Sequence, residues 1–159
     1  MKRESIFMLL GGIIGAVISN RITYKKQIKE RLELEELSEK HKALFLMMNQ
    51  WIKVKQEGKN LYTYFIENGY NRIAVYGLSF AGETLLNDLR GTPVQVAYGI
   101  DNNAEGIYLD LDIVTLDASL DEVDAVVVTA VYYFEEIRDL LSKKIHCRII
   151  SLEDILYEL

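Results

Sequence analysis

The residues best suited to chemistry lie in one short run, Gly77-Leu78-Ser79-Phe80-Ala81-Gly82. Glycines at this spacing, between a strand and a helix, let backbone N–H groups approach a phosphate that a side chain would block. Gly77 permits a tight turn, and Gly82 lets the helix pack close to the strand. The dinucleotide fingerprint has a third glycine at the middle position, where this chain has Ser79. That side chain narrows the space for a pyrophosphate, while its hydroxyl can donate to one. Asp101 follows Gly77 by 24 residues. The acid that takes ribose hydroxyls in such sites comes about 20 residues on. Asn102 and Asn103 follow it, so a ligand role and a plain turn both stay open. No lysine or arginine lies close by to hold a 2′-phosphate, which disfavours NADP. Thr129 and Ala130 would line the same crevice. The candidate ligand set is therefore Gly77, Ser79, Phe80, Gly82, Asp101, Asn102 and Thr129, and the expected ligand is NAD or another nucleotide. No catalytic residue is expected: no motif places a histidine and a carboxylate beside Ser79. The one cysteine, Cys147, sits in an apolar run, and His41 and His146 are far apart in sequence, so no metal site is expected.

These residues need a scaffold, and hydrophobic patterning supplies one. Strands are expected at 72–77, 94–101, 113–114, 124–130 and 148–151, with helices at 81–89, 134–143 and 153–159. Asp124-Ala125-Val126-Val127-Val128-Thr129-Ala130 is almost uninterruptedly apolar, as befits a parallel strand covered on both faces. Strands alternating with helices imply right-handed βαβ units. The predicted fold is an α/β, Rossmann-like parallel sheet of order 3-2-1-4-5. Its ligand crevice lies at the carboxyl ends of the first and fourth strands.

Ahead of that domain (59–159) two further segments are expected: a membrane anchor at 1–21 and a helical stalk at 22–58. Ser5 to Asn20 carries no charge. Sixteen helical residues span about 24 Å, against a hydrocarbon core of roughly 30 Å, so Arg3 and Arg21 would snorkel outward. A single span through Ile6–Ile18 is the leading reading; a cleaved signal peptide and a buried or interfacial helix are the alternatives. Arg21, Lys25, Lys26, Lys29 and Arg31 outnumber Lys2 and Arg3, which places the body in the cytoplasm, at the cytoplasmic membrane. In the stalk, Leu34, Leu37, His41, Leu44, Met48 and Trp51 recur at spacings of 3, 4, 3, 4 and 3. That seam suits either packing on the chain's own domain or a homodimeric coiled coil through Leu34, Leu37, Leu44, Met48 and Trp51. Asn60 is the expected cap of a helix at 61–67, which ends at Asn68-Gly69.

Charge is divided between the two halves. Residues 1–60 carry 12 Lys+Arg against 7 Asp+Glu, and residues 61–159 carry 6 against 17. A body with a net charge of −11 repels phosphate backbones, which argues against a nucleic-acid partner.

Arg72-Ile73-Ala74-Val75-Tyr76-Gly77 with the Gly77/Gly82 loop, followed by Gly99-Ile100-Asp101-Asn102-Asn103, resembles a known family. It is the N-terminal Rossmann-like (CoA-binding-like) domain of membrane-anchored bacterial nucleotide-sugar epimerase/dehydratases and capsule or exopolysaccharide biosynthesis proteins. The resemblance covers about 90 residues. It implies a role in polysaccharide biosynthesis beside a glycan-assembly enzyme, with catalysis in a separate domain that carries a Tyr-x-x-x-Lys pair. No tyrosine here is followed four residues later by lysine: Tyr108 is followed by Asp112, Tyr132 by Glu136 and Tyr133 by Ile137. The leading expectation is an accessory or regulatory module that binds NAD, CoA or a nucleotide sugar. The alternatives are a ligand-free dimerising scaffold and a small NAD-dependent nucleotide-sugar epimerase.

Overall fold

The computed structural model describes residues 2–104 and 110–159, with side chains from Arg21 onward except at position 22. The described residues form five helices and five strands in the order α1 (Lys2–Gln56), α2 (Leu61–Glu67), β1 (Arg72–Tyr76), α3 (Phe80–Leu89), β2 (Gln95–Ile100), β3 (Ile113–Val114), β4 (Ala125–Val128), α4 (Phe134–Leu141), β5 (Arg148–Ser151) and α5 (Leu152–Glu158). A single 3₁₀ turn, Val131–Tyr133, precedes α4. The helix expected at 134–143 is thus shorter at its end and has a tighter turn in front.

All strand pairs are parallel, and the sheet order is β3-β2-β1-β4-β5, as the sequence predicts. Alternation along β1 assigns its side chains to two cores. Ile73 and Val75 face one, with Phe65 of α2, Leu85 of α3 and Ile155 of α5. Ala74 and Tyr76 face the other, with Ile137 and Leu141 of α4. Both faces are covered, which is why β1 and β4 read as continuous apolar runs.

The chain divides into two compact units, Met1–His41 and Lys42–Leu159. In the second, the end of α1 belongs to the sheet domain. Met47, Trp51 and Val54 are buried in the same core as Val75 and Val127, and Leu44 and Met48 pack against it from part-buried positions. The Trp51 indole N–H donates to Asp88 Oδ2 at 3.3 Å, and Lys55 also reaches Asp88, tying α1 to α3. Trp51 is therefore packed into its own domain, and Leu44 and Met48 are packed against it in part. In the first unit Leu34 and Leu37 are exposed, and Lys26–Glu30, Lys29–Glu33 and Arg31–Glu35 form surface ion pairs one turn apart.

Among the described residues no helix is long and apolar enough to cross a membrane. The side chains of the expected anchor, Ile6–Ile18, lie outside the described residues.

Candidate functional site

The Gly77–Gly82 loop joins the carboxyl end of β1 to the start of α3, beside the end of β4, where the strand order reverses. Gly77 has φ +87°, in the left-handed region that side chains avoid. A Cβ there would lie 2.9 Å from Thr129 Oγ1 and 3.5 Å from the Ala130 nitrogen. Gly82 is held to glycine by contact rather than by torsion: a Cβ would come within 2.1 Å of the Gly77 carbonyl oxygen. The first turn of α3 is thus pressed onto the loop that precedes it.

Two side chains hold this loop from neighbouring strands. Thr129, buried at the end of β4, places its hydroxyl 2.6 Å from the Gly77 carbonyl and 3.2 Å from that of Tyr76. A hydroxyl has one proton to give, and the shorter contact takes it. Asp101, at the end of β2, accepts the Leu78 N–H through Oδ2 at 2.8 Å and the Asn103 N–H through Oδ1 at 2.9 Å. The turn role and the proximity to the glycine loop therefore coexist. Among the described residues each carboxylate oxygen has one backbone donor, and a carboxylate offers about four acceptor positions in all, so two of these are not taken by the described residues.

The other expected residues occupy the rim. Ser79 stands at the N-cap position of α3, exposed, and its side chain makes no cap hydrogen bond. The amides of Phe80, Ala81 and Gly82 open the helix, where no intrahelical acceptor is available to them. Glu83, whose amide already bonds the Ser79 carbonyl, lies in the same turn and counters the positive helix end. Phe80 is 78% exposed. Asn102 is exposed. Burial raises the Tyr76 phenol above its usual range, the Asp101 charge adds to the rise, and the Asn102 side chain opposes it.

Sequence reasoning missed Leu78. Its side chain is buried and its N–H is the donor that Asp101 holds. The available signal was Gly99: a Cβ on Gly99 would sit 2.5 Å from Leu78 Cδ1, so that glycine makes room for the leucine. Three surface grooves lie away from this crevice. One runs along α3 and the start of β2 past Leu86 and Val94; one lies between α1 and α3 at Trp51 and Asp88; one lies at Lys144 and Cys147. None of these three is lined by an expected ligand residue.

No protein-family model matches this chain, and neither the curated proteins nor the solved structures contain a significant match to it.

Proposed function

We propose that this protein is a membrane-anchored accessory or regulatory module that binds a nucleotide-type ligand at the β1–α3 loop and acts in bacterial polysaccharide assembly. The observation that carries the ligand reading is the uncapped start of α3 at the strand-order switch point. There the Ser79 hydroxyl makes no cap bond to the helix start. Backbone amides and the positive end of a helix favour an anion, and two Asp101 acceptor positions lie one loop away for ribose or sugar hydroxyls. NAD, CoA and a nucleotide sugar all present that pair of features. The uncharged run at 5–20 and the basic residues after it support the anchor and its orientation. The polysaccharide role rests on the resemblance of the β1 loop and the β2 end. No reaction is assigned: among the described residues no hydrogen bond pairs Ser79 with a general base.

Thermal-shift measurements on the full chain in detergent, with NAD, CoA and UDP-glucose each at millimolar concentration, test the ligand reading. A rise in melting temperature with one of them supports it, and no rise with any sinks it. Sodium carbonate extraction of membranes tests the anchor: release into the supernatant rejects it.

One observation favours a second reading. Each Asp101 oxygen already has a backbone donor, as in a shell that holds itself together without ligand. Leu34 and Leu37, and separately Phe45 and Ile52, leave apolar surface on α1 for self-association. A monomeric mass by light scattering at micromolar concentration in detergent rejects this dimerising scaffold.

A further inference from the structure

Three turns near the end of α1 carry more apolar surface than their own domain covers. Between Lys42 and Lys53 the helix has no charged residue: Ala43-Leu44-Phe45-Leu46-Met47-Met48-Asn49-Gln50-Trp51-Ile52. Met47 and Trp51 enter the core, as does Val54 beyond them. Phe45 is 70% exposed and Ile52 55%. Phe45, Met48 and Ile52, at spacings of 3 and 4, fall on one line along the helix, about a third of a turn from the buried line. A surface helix ordinarily has one apolar stripe. This one has two, and the sheet domain takes only the first.

The flanks of the exposed line differ. On one side Met48 and Ile52 border a groove against α3, with Thr84, Asn87 and Asp88 also lining it. Helix α3 carries Glu83 and Asp88 and no lysine or arginine, and Lys55, on that side of α1, is ion-paired to Asp88. On the other side of the line stand Lys42 and Lys53, both exposed.

From this arrangement we propose that the face formed by Phe45, Met48 and Ile52 receives a second copy of this chain, with the two α1 segments parallel and in register. The proposal rests on the dimerising reading above and deepens it by naming the seam; it does not depend on a ligand. Charge selects both occupant and direction. Residues 61–159 carry 6 Lys+Arg against 17 Asp+Glu, so two copies repel over most of the domain and approach best at an uncharged face. A charged partner surface would leave its charges unpaired against this run. A two-fold axis parallel to the helices sets the lysine flank of each copy against the α3 flank of the other, and opposite charges meet. Reversing one helix sets lysine against lysine and α3 against α3. In the parallel pair Phe45 meets Phe45, Met48 meets Met48 and Ile52 meets Ile52. Three turns span about 15 Å, and the α3 flank widens the contact toward the roughly 800 Å² per partner of a standard interface.

Light scattering of the full chain in detergent at micromolar concentration, joined to disulfide trapping, tests the seam. The unaltered chain has a dimeric mass. Phe45→Glu and Ile52→Glu each oppose like charges across the seam and raise the dissociation constant at least roughly tenfold, as the loss of a central anchor does. Both positions are exposed in the single chain, so an unchanged emission maximum of the buried Trp51 shows that the fold is intact. With Cys147→Ser removing the native thiol, Phe45→Cys and Ile52→Cys each cross-link to themselves, faster than Tyr157→Cys on α5. Trapping no faster than at position 157 overturns the seam. A mixed disulfide between Phe45→Cys and Ile52→Cys chains, without either self-link, overturns the parallel arrangement. A dimer that survives both glutamates overturns the seam and leaves the dimerising reading standing. A monomeric mass for the unaltered chain overturns both and leaves the face to a different protein.

Discussion

Asp101 Oδ2 accepts the Leu78 N–H at 2.8 Å, so the carboxyl end of β2 holds the loop that leaves β1. Asp124 does the corresponding work at the other end of β1, where its Oδ2 accepts the N–H groups of Asn71 and Arg72 at 2.9 and 2.7 Å. The central strand is therefore pinned at both ends by carboxylates from its two neighbours in the sheet. Only the Asp101 pin lies at the candidate crevice.

Replacing Asp101 separates these roles. Asp101→Ala removes the acceptor for two backbone donors, and hydrogen bonds to charged groups are worth about 1.5–3 kcal/mol each when buried. Partial exposure of Asp101 lets water take over part of that, so a net loss of about 1–2 kcal/mol in urea unfolding is expected. Asp124→Ala is expected to cost a similar amount. Only Asp101→Ala should also weaken whichever of NAD, CoA and UDP-glucose binds, since only that carboxylate stands beside the glycine loop. Equal ligand affinity in the two variants would remove Asp101 from the binding set.

The glycines should rank by what surrounds them. Gly82→Ala forces a methyl group onto the Gly77 carbonyl, at a distance of 2.1 Å before relaxation. The cost is expected near the upper end of overpacking, about 3 kcal/mol. Gly77→Ala meets both an unfavourable φ and the Thr129 hydroxyl, for about 2 kcal/mol. Gly58→Ala meets the same torsional penalty with nothing within 4 Å, and about 1 kcal/mol is expected. Denaturation midpoints in the order Gly58→Ala, Gly77→Ala, Gly82→Ala, from highest to lowest, check the ranking.

Much of the fold was legible because its punctuation is local. Helix α2 ends where Asn68-Gly69 says it should, and β3 and β5 occupy the predicted residues. Asn60 holds the N-cap position of α2, yet its side chain makes no cap bond; residue type marks a boundary without guaranteeing the contact. Gly77, Gly82, Asp101 and Thr129, far apart in the sequence, meet around the β1–α3 loop as their spacing predicts. That spacing could not foretell that the Asp101 oxygens would be taken by backbone N–H groups, because Leu78 and Asn103 carry no signal in their side chains for a main-chain bond. The heptad at Leu34 to Trp51 left two readings open for a related reason. Periodicity shows which face of a helix is apolar and not what covers it: for Trp51 the cover is its own sheet.

Alkaline pH should destabilise the protein through groups buried in their neutral form. Burial raises the Cys147 thiol and the phenols of Tyr76 and Tyr98 above their usual ranges. Their neutral forms are favoured in the folded state, so their contribution is fully present below the unfolded pKa values. It declines as pH rises past about 8.5 for the thiol and about 10 for the phenols. Urea midpoints should therefore fall between pH 8.5 and 11. Cys147→Ser should flatten the first part of that decline. Alkylation of Cys147 by iodoacetamide at pH 7.5 should be slow in the native protein and fast in urea; equal rates would contradict the burial.

The end of α1 supplies the last prediction, because the compact unit begins at Lys42 and not after the helix. A fragment of residues 42–159 keeps Met47, Trp51 and Val54 in the core, and it should fold and unfold cooperatively. Trp51 is the only tryptophan and is 3% exposed, so its emission should be blue-shifted in the fragment and shift red on unfolding. A fragment of residues 59–159 contains every strand and still lacks those three side chains, which uncovers Phe65 and Leu85 in the same core. Large-to-small changes at single buried positions cost about 2–5 kcal/mol, and removing three such side chains takes most of the stability of a domain this size. The 59–159 fragment should therefore be soluble only in part and lose its sharp unfolding transition. Within the full chain, Trp51→Ala should cost about 3–5 kcal/mol. Trp51→Phe should cost less, since a ring still fills the site and only the bond to Asp88 is lost. If 59–159 unfolded as cooperatively and at the same urea concentration as 42–159, the last turns of α1 would be a stalk after all, with Trp51 free for another partner.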